Sequence, residues 1–222
     1  MTGFLKKIPN FKANPLAHKT TAMKKLLSLF VMASAAIAFK GTADPLPIGS
    51  PLPKASVKMK DVSGKLVSLA DLKTNNGLLV MFSCNTCPYV IKNQQRTNEI
   101  SAYALQKGVG VALLNSNEGG RESEDSYKSM QQYAKSQSYQ WPYVVDSNNE
   151  LADAFGASRT PEVFLFNGDG KLVYHGAIDD SPADVSKIKR AHLKEAINEM
   201  LSGKDIAVKE SRSIGCSIKR KG

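Results

Sequence analysis

Leu78-Leu79-Val80-Met81-Phe82-Ser83-Cys84-Asn85-Thr86-Cys87-Pro88 is the stretch on which the fold turns. Five apolar residues in a row suit a buried strand. Tyr89-Val90-Ile91 followed by Lys92 to Arg96 reads as an amphipathic helix running to about Gln106. Two thiols three positions apart at a strand-to-helix junction can open and close a small disulfide ring. The helix start, with its unpaired N–H groups and macrodipole, favours a thiolate at Cys84, and Cys87 sits one turn further in. The pair reads as a dithiol/disulfide redox site.

Two blander uses of the motif weigh less. Structural zinc needs about four ligands, and the chain adds only Cys216, His18, His175 and His192, at no metal-ligand spacing. An inert structural disulfide across three positions closes almost no loop and adds little stability.

Outward from the motif, strands and helices alternate. Residues 57–60 and 66–69 read as a strand pair around Ser63-Gly64, and residues 109–114 as a second buried strand. A polar helix over residues 123–138 opens on an exposed acidic start, Glu122, Glu124 and Asp125. Then come a short strand at Tyr143, a short helix ending at Gly156, and a hairpin around residues 167–170. A last amphipathic helix covers residues 185–201. The pattern predicts an α/β fold, a central mixed β-sheet flanked by helices.

The 222 residues suit one domain with appendages. The formal charge of +10 is mostly terminal: six lysines and no acidic residue lie in residues 1–38, leaving +4 elsewhere. Nucleic-acid binding is therefore not expected. Lys24-Lys25, an apolar run and Ala36-Ile37-Ala38 have the three parts of a secretory signal. The run is too short for an easy membrane span, which needs about 18 residues or more. The expected organisation is an amino-terminal extension (1–22), a signal peptide (23–38), a proline-rich linker (39–54), a domain (55–206) and a tail (207–222) carrying Cys216. The protein is expected to be exported and periplasmic or otherwise extracytoplasmic, the alternative being an uncleaved amino-terminal membrane anchor. In such an oxidising compartment a reducible pair needs a thiol reductant to recycle it.

The lead-in of residues 61–72, Phe82-Ser83-Cys84-Asn85-Thr86-Cys87-Pro88-Tyr89-Val90, Arg159-Thr160-Pro161-Glu162-Val163-Phe164-Leu165-Phe166, residues 171–180 and Ser213-Ile214-Gly215-Cys216-Ser217-Ile218-Lys219 together resemble a known family. It is the thioredoxin-like superfamily, within it the redoxin group of alkyl hydroperoxide reductase/thiol-specific antioxidant proteins, and there the peroxiredoxin-like branch. The resemblance implies a thioredoxin-like fold with Thr160-Pro161 as the cis-proline turn against the reactive cysteine. It also implies that the backbone before that proline is left free to pair with a substrate strand. Peroxiredoxins carry Pro-x-x-x-Thr/Ser-x-x-Cys. Here Val80 and Cys84 stand at the proline and hydroxyl positions counted from Cys87, and Gly77 and Met81 at those counted from Cys84. That departure favours thiol–disulfide exchange over peroxide reduction.

The expected catalytic residues are therefore Cys84, attacking as the more exposed and acidic thiolate, Cys87 resolving, and Thr160 with Pro161 shaping the turn. Cys216, flanked by Ile214 and Ile218, is read as an auxiliary thiol on a tail that packs back. No cofactor and no metal are expected. The partners are protein or small-molecule disulfides and thiols, with peroxide the alternative substrate, and the membrane is met only through the amino terminus. A copper-binding chaperone is the third reading, with His175 as a ligand, although an exposed strand position suits His175 better. Arg159 reads as a surface loop residue, Trp141 as core or groove wall, and Asp179-Asp180 as turn and helix-cap residues.

Overall fold

The computed structural model describes Gly3 and residues 44–221. The extension and signal peptide expected over residues 1–38 lie outside the described residues, apart from Gly3. Among the described residues no helix is long and apolar enough to cross a membrane.

In chain order the elements are β1 (Met59–Lys60), β2 (Leu66–Val67), α1 (Leu69–Leu72), β3 (Leu78–Ser83), α2 (Pro88–Lys92), α3 (Gln94–Gln106), β4 (Gly110–Asn115), α4 (Tyr127–Ser136) and β5 (Tyr143–Val145), followed by α5 (Glu150–Phe155), β6 (Arg159–Thr160), β7 (Glu162–Phe166), β8 (Leu172–Gly176), α6 (His192–Leu201) and β9 (Cys216–Ser217). The central sheet has the order β5-β4-β3-β7-β8. Its β3/β4 and β4/β5 pairs are parallel and its β3/β7 and β7/β8 pairs antiparallel.

All six residues of β3 are buried, because both faces of the sheet are covered. Alternation sends Leu79 and Met81 into one core layer with Ile100, Leu193 and Ile197. Leu78, Val80 and Phe82 enter the other, with Leu151 and Phe155. This double burial fixes the end of β3, and with it Cys84.

The expected first helix is two. Asn93 closes α2 and its buried side-chain amide donates to the Tyr89 and Pro182 carbonyls at 2.7 and 2.8 Å, which breaks the run. The expected helix over residues 123–138 starts only at Tyr127, capped by Ser126. The last helix starts at His192. Before it, local bonds compete with helix formation: Asp184 accepts from the Ser186 N–H, and Asp180 accepts from the Lys189 N–H and donates its own N–H to the Arg190 carbonyl.

The proline-rich linker is, from Asp44 onward, part of the domain. Leu46 N–H donates to the Phe155 carbonyl, Gly49 to Leu172 and Leu52 to Gly170, while Leu46, Ile48 and Leu52 pack on the core. The seam is close at Gly156, which has φ +63° and where a Cβ would lie 2.0 Å from the Asp44 carbonyl oxygen.

Candidate functional site

Ser83 ends β3 and the chain turns through Cys84-Asn85-Thr86-Cys87 into α2, with Cys87 as its N-cap and Pro88 at the first helical position. The turn is clamped from below by Asp125. This fully buried carboxylate accepts from the Asn85 N–H at 2.9 Å, from Asn115 Nδ2 at 2.8 Å and from Asn117 Nδ2 at 2.9 Å. Tyr143 Oη donates to the Asn85 side-chain oxygen at 2.9 Å. Arg121 holds the same loop, donating to the Asp125 and Asn115 carbonyls at 2.7 and 2.8 Å. Asp125 is thus the hub of the site, whereas the sequence reads it as an exposed helix start. Asn115 and Asn117, polar residues directly after the apolar run of β4, are the signal that could have pointed to it.

The second wall is the turn before β7. The Thr160–Pro161 peptide is cis. Thr160 Oγ1 lies 3.3 Å from Cys84 Sγ, and the Thr160 carbonyl oxygen lies 3.3 Å from Cys87 Sγ. One residue therefore touches both sulfurs of the motif. Glu162, next after the proline, is buried. It accepts from the Ser158 and Arg159 N–H groups at 2.8 and 3.0 Å and shares a 2.8 Å hydrogen bond with His175 Nε2.

The third wall is the tail. β9 pairs antiparallel with β6, Cys216 opposite Thr160 and Ser217 opposite Arg159. Cys216 is disulfide-bonded to Cys87, with their Cα atoms 6.0 Å apart, and Cys84 carries a free thiol beside them. All three cysteines line one small cavity of about 110 Å³ with Thr86, Pro88, Asn117, Ser217 and Lys219.

Several expectations meet a different environment. Cys84 is 1% exposed and Cys87, bonded to Cys216, 4%, so both sulfurs are buried in this state and Cys84 carries the free thiol. Burial pushes its thiol above the ordinary value; the Thr160 hydroxyl draws it back and the Asp125 carboxylate pushes it up again. α2 starts at Pro88, so Cys84 lies ahead of the helix and not within its first turn.

His175 is not an exposed strand residue: it is 8% exposed, stacked on Phe164 and bonded to Glu162, and it does not line the thiol cavity. Asp179 is no cap. It holds the turn, accepting from the Ser181 N–H at 2.9 Å, and forms a buried ion pair with Arg96 at 2.6 Å, while Asp180 accepts from the Lys189 N–H in the loop before α6. Arg159 is exposed, with Nη1 3.3 Å from the Gly215 carbonyl oxygen, and Trp141 is buried in the core. Among the described residues no group of three or more His, Cys, Asp or Glu side chains is arranged to hold a metal ion.

Comparison with known proteins agrees with this architecture. The chain is 30% identical over 121 residues to the thiol-disulfide oxidoreductase ResA of Bacillus subtilis (strain 168), a match covering 52% of this chain and 60% of that relative's length. Among solved structures, a hypothetical protein of Sinorhizobium meliloti 1021 superposes with TM-score 0.74 at 30% identity, over 81% of this chain and 97% of that one. An uncharacterized conserved protein of Geobacillus kaustophilus does so with TM-score 0.75 at 33% identity, over 80% and 94%. The fold is thioredoxin-like. The model of the Redoxin family matches residues 47–191, a span that holds the cysteine turn, the Asp125 hub and the cis-proline, and the chain belongs to that family.

Proposed function

We propose that the protein is an exported thiol–disulfide oxidoreductase whose Cys84–Cys87 pair exchanges with partner disulfides. The Cys84 thiolate attacks one sulfur of the partner disulfide. That S–S bond breaks, and the departing partner thiolate takes up a proton. Cys87, deprotonated, then attacks Cys84 Sγ and expels the second partner thiol, leaving a Cys84–Cys87 disulfide. The partner gains two electrons and two protons, and a dithiol reductant returns the pair to its starting state. Thr160 shapes the turn, its hydroxyl beside Cys84, and Pro161 fixes the backbone.

One observation carries the reading: three sulfurs converge on one small cavity, two of them bonded and the third free against Thr160. An arrangement built only for stability has no use for the third. In the Cys87→Ser/Cys216→Ser double variant, which lacks both resolving thiols, oxidised glutathione should accumulate as a mixed disulfide on Cys84, read by mass spectrometry. Absence of that adduct, with the variant folded, overturns the reading.

The alternative activity, peroxide reduction, has one observation in its favour, the Thr160 hydroxyl 3.3 Å from the Cys84 sulfur. Peroxide consumption by the reduced wild-type protein distinguishes the two. A copper chaperone is the weakest of the three readings, because His175 is already engaged with Glu162.

A further inference from the structure

Two buried titratable side chains have no part in the exchange steps above. Glu162 opens β7 and His175 lies on the neighbouring strand β8, and the carboxylate of one meets the imidazole Nε2 of the other at 2.8 Å. A carboxylate kept from water is costly unless its oxygens find donors. Here Oε1 takes the imidazole, and Oε2 takes the N–H groups of Ser158 and Arg159 at 2.8 and 3.0 Å. Those two amides lead directly into Thr160, whose hydroxyl and carbonyl oxygens stand 3.3 Å from Cys84 Sγ and Cys87 Sγ. The imidazole is held at both ring and backbone. Its ring stacks on Phe164 with centroids 4.4 Å apart, its N–H donates to the Lys209 carbonyl, and its own carbonyl accepts from the Ser211 N–H, both at 3.0 Å. A line of fixed contacts thus runs from β8 through His175 and Glu162 to residues 158–160.

We propose that Glu162, oriented by His175, is a positioning residue for thiol exchange: it fixes the backbone of residues 158–160 and so holds the Thr160 hydroxyl against the Cys84 sulfur. The proposal rests on the thiol-exchange reading above and adds to it a residue that touches neither the sulfurs nor the partner. A tie between strands is the blander use of such a pair, but β7 and β8 are already joined by their own ladder, and one carboxylate oxygen is spent wholly on the turn. The Thr160 hydroxyl is the side chain that draws the buried Cys84 thiol down. A turn free to move carries that hydroxyl away, leaving less thiolate at a given pH and a slower attack. Asp125, which pushes the thiol up, and Lys219, which lines its cavity, make no hydrogen bond with Glu162 and stay in place when it is replaced.

The test uses the full chain carrying Cys87→Ser and Cys216→Ser, so that Cys84 is its single thiol, and reads the pH at which alkylation by iodoacetamide is half-maximal. Adding Glu162→Ala should raise that pH by at least about half a unit, an approximately threefold loss of thiolate at any pH well below it. Glu162→Gln should restore the original value, because its carbonyl oxygen still accepts from Ser158 and Arg159 and its amide donates to the neutral imidazole. A purely structural role would lower the unfolding midpoint of Glu162→Ala and leave the half-maximal pH where it was; that result overturns the proposal, and so does a Gln variant that behaves as the Ala variant does. If Glu162→Ala does not fold, Glu162→Asp takes its place, one methylene too short to serve both amides and the imidazole, with the same expectation and the same contrary result. Oxidised glutathione added to each protein separates this proposal from the reading beneath it. An adduct on Cys84 with equal half-maximal pH values removes only the positioning role. Alkylation with no adduct in any of the proteins removes the exchange reading, and the positioning role with it.

Discussion

The turn that carries Cys84 and the tail that carries Cys216 meet at the same threonine, yet they are held by different forces. The turn continues a strand buried on both faces, and its Asn85 N–H is taken by a carboxylate that no water reaches. The tail is held by a two-residue strand, one buried isoleucine, a hydrogen bond from the Lys219 N–H to buried Asn117, two largely exposed ion pairs and one disulfide. Buried hydrogen bonds to a charge have no replacement if lost, whereas solvent takes over exposed contacts almost without cost. The contrast teaches that one cysteine belongs to the scaffold and the other to a segment tied to it by fewer buried contacts.

That contrast can be broken first at Asp125. Asp125→Ala strands three buried donors, each worth about 1–3 kcal/mol, so denaturant unfolding should show a loss of about 4 kcal/mol. A loss below about 1 kcal/mol would mean the hub does not hold the turn. Next in size is the Cys87–Cys216 bond, which joins residues 129 apart. Cys216→Ser should cost about 2–4 kcal/mol, because a long closed loop limits the unfolded chain.

A finer comparison sets Leu151→Ala against Ile218→Ala, both in the same core layer. Leu151 cannot escape its site, so its loss should cost the usual 2–5 kcal/mol of a deleted core side chain, written as about 3 kcal/mol. Under reducing conditions Ile218→Ala should cost clearly less, because release of the tail caps the penalty at the free energy of local opening. Equal losses would place the tail within the cooperative core.

Smaller still is Lys219→Ala. Its partner is exposed, and the pair should contribute no more than about 1 kcal/mol to unfolding in low salt, vanishing as salt is raised. The pH dependence follows from the raised Cys84 pKa. In the oxidised protein, alkylation of Cys84 should reach its half-maximal rate at a pH above that of free cysteine. Between those two pH values the unfolded chain has lost the proton that the native thiol keeps, so stability should fall as pH rises through that window. Half-maximal alkylation at or below the free-cysteine pH would remove the burial argument.

The sheet was readable from sequence because its signals are local. The apolar run of residues 78–82, the hairpin turn and the alternation of strands with helices each lie within one window. The cysteine turn was readable for the same reason, whereas the cis turn at Thr160-Pro161 came from the family resemblance, local sequence alone favouring a trans bond. What stayed hidden is pairing across the chain. Nothing near Asp125 says that three donors from residues 85, 115 and 117 converge on it, and its acidic neighbours Glu122 and Glu124 make it look like a helix start. His175 looks exposed until Glu162 is placed beside it. Two residues of β9 carry too little pattern to announce a strand, although Gly215 ahead of Cys216 marks a place where backbones approach closely. The burial that raises the Cys84 thiol comes from packing across the chain, which the motif itself does not show.

The central claim is that Cys84, Cys87 and Cys216 form one exchange system, and disulfide mapping of the wild-type protein equilibrated across a series of glutathione redox buffers tests it most directly. Peptide maps should contain both the Cys84–Cys87 and the Cys87–Cys216 bonds, in a fixed ratio as the buffer is made more oxidising, because their exchange transfers no electrons. Maps in which Cys84 joins no disulfide at any poise, with Cys87–Cys216 alone formed, would contradict the account and leave that bond a structural staple.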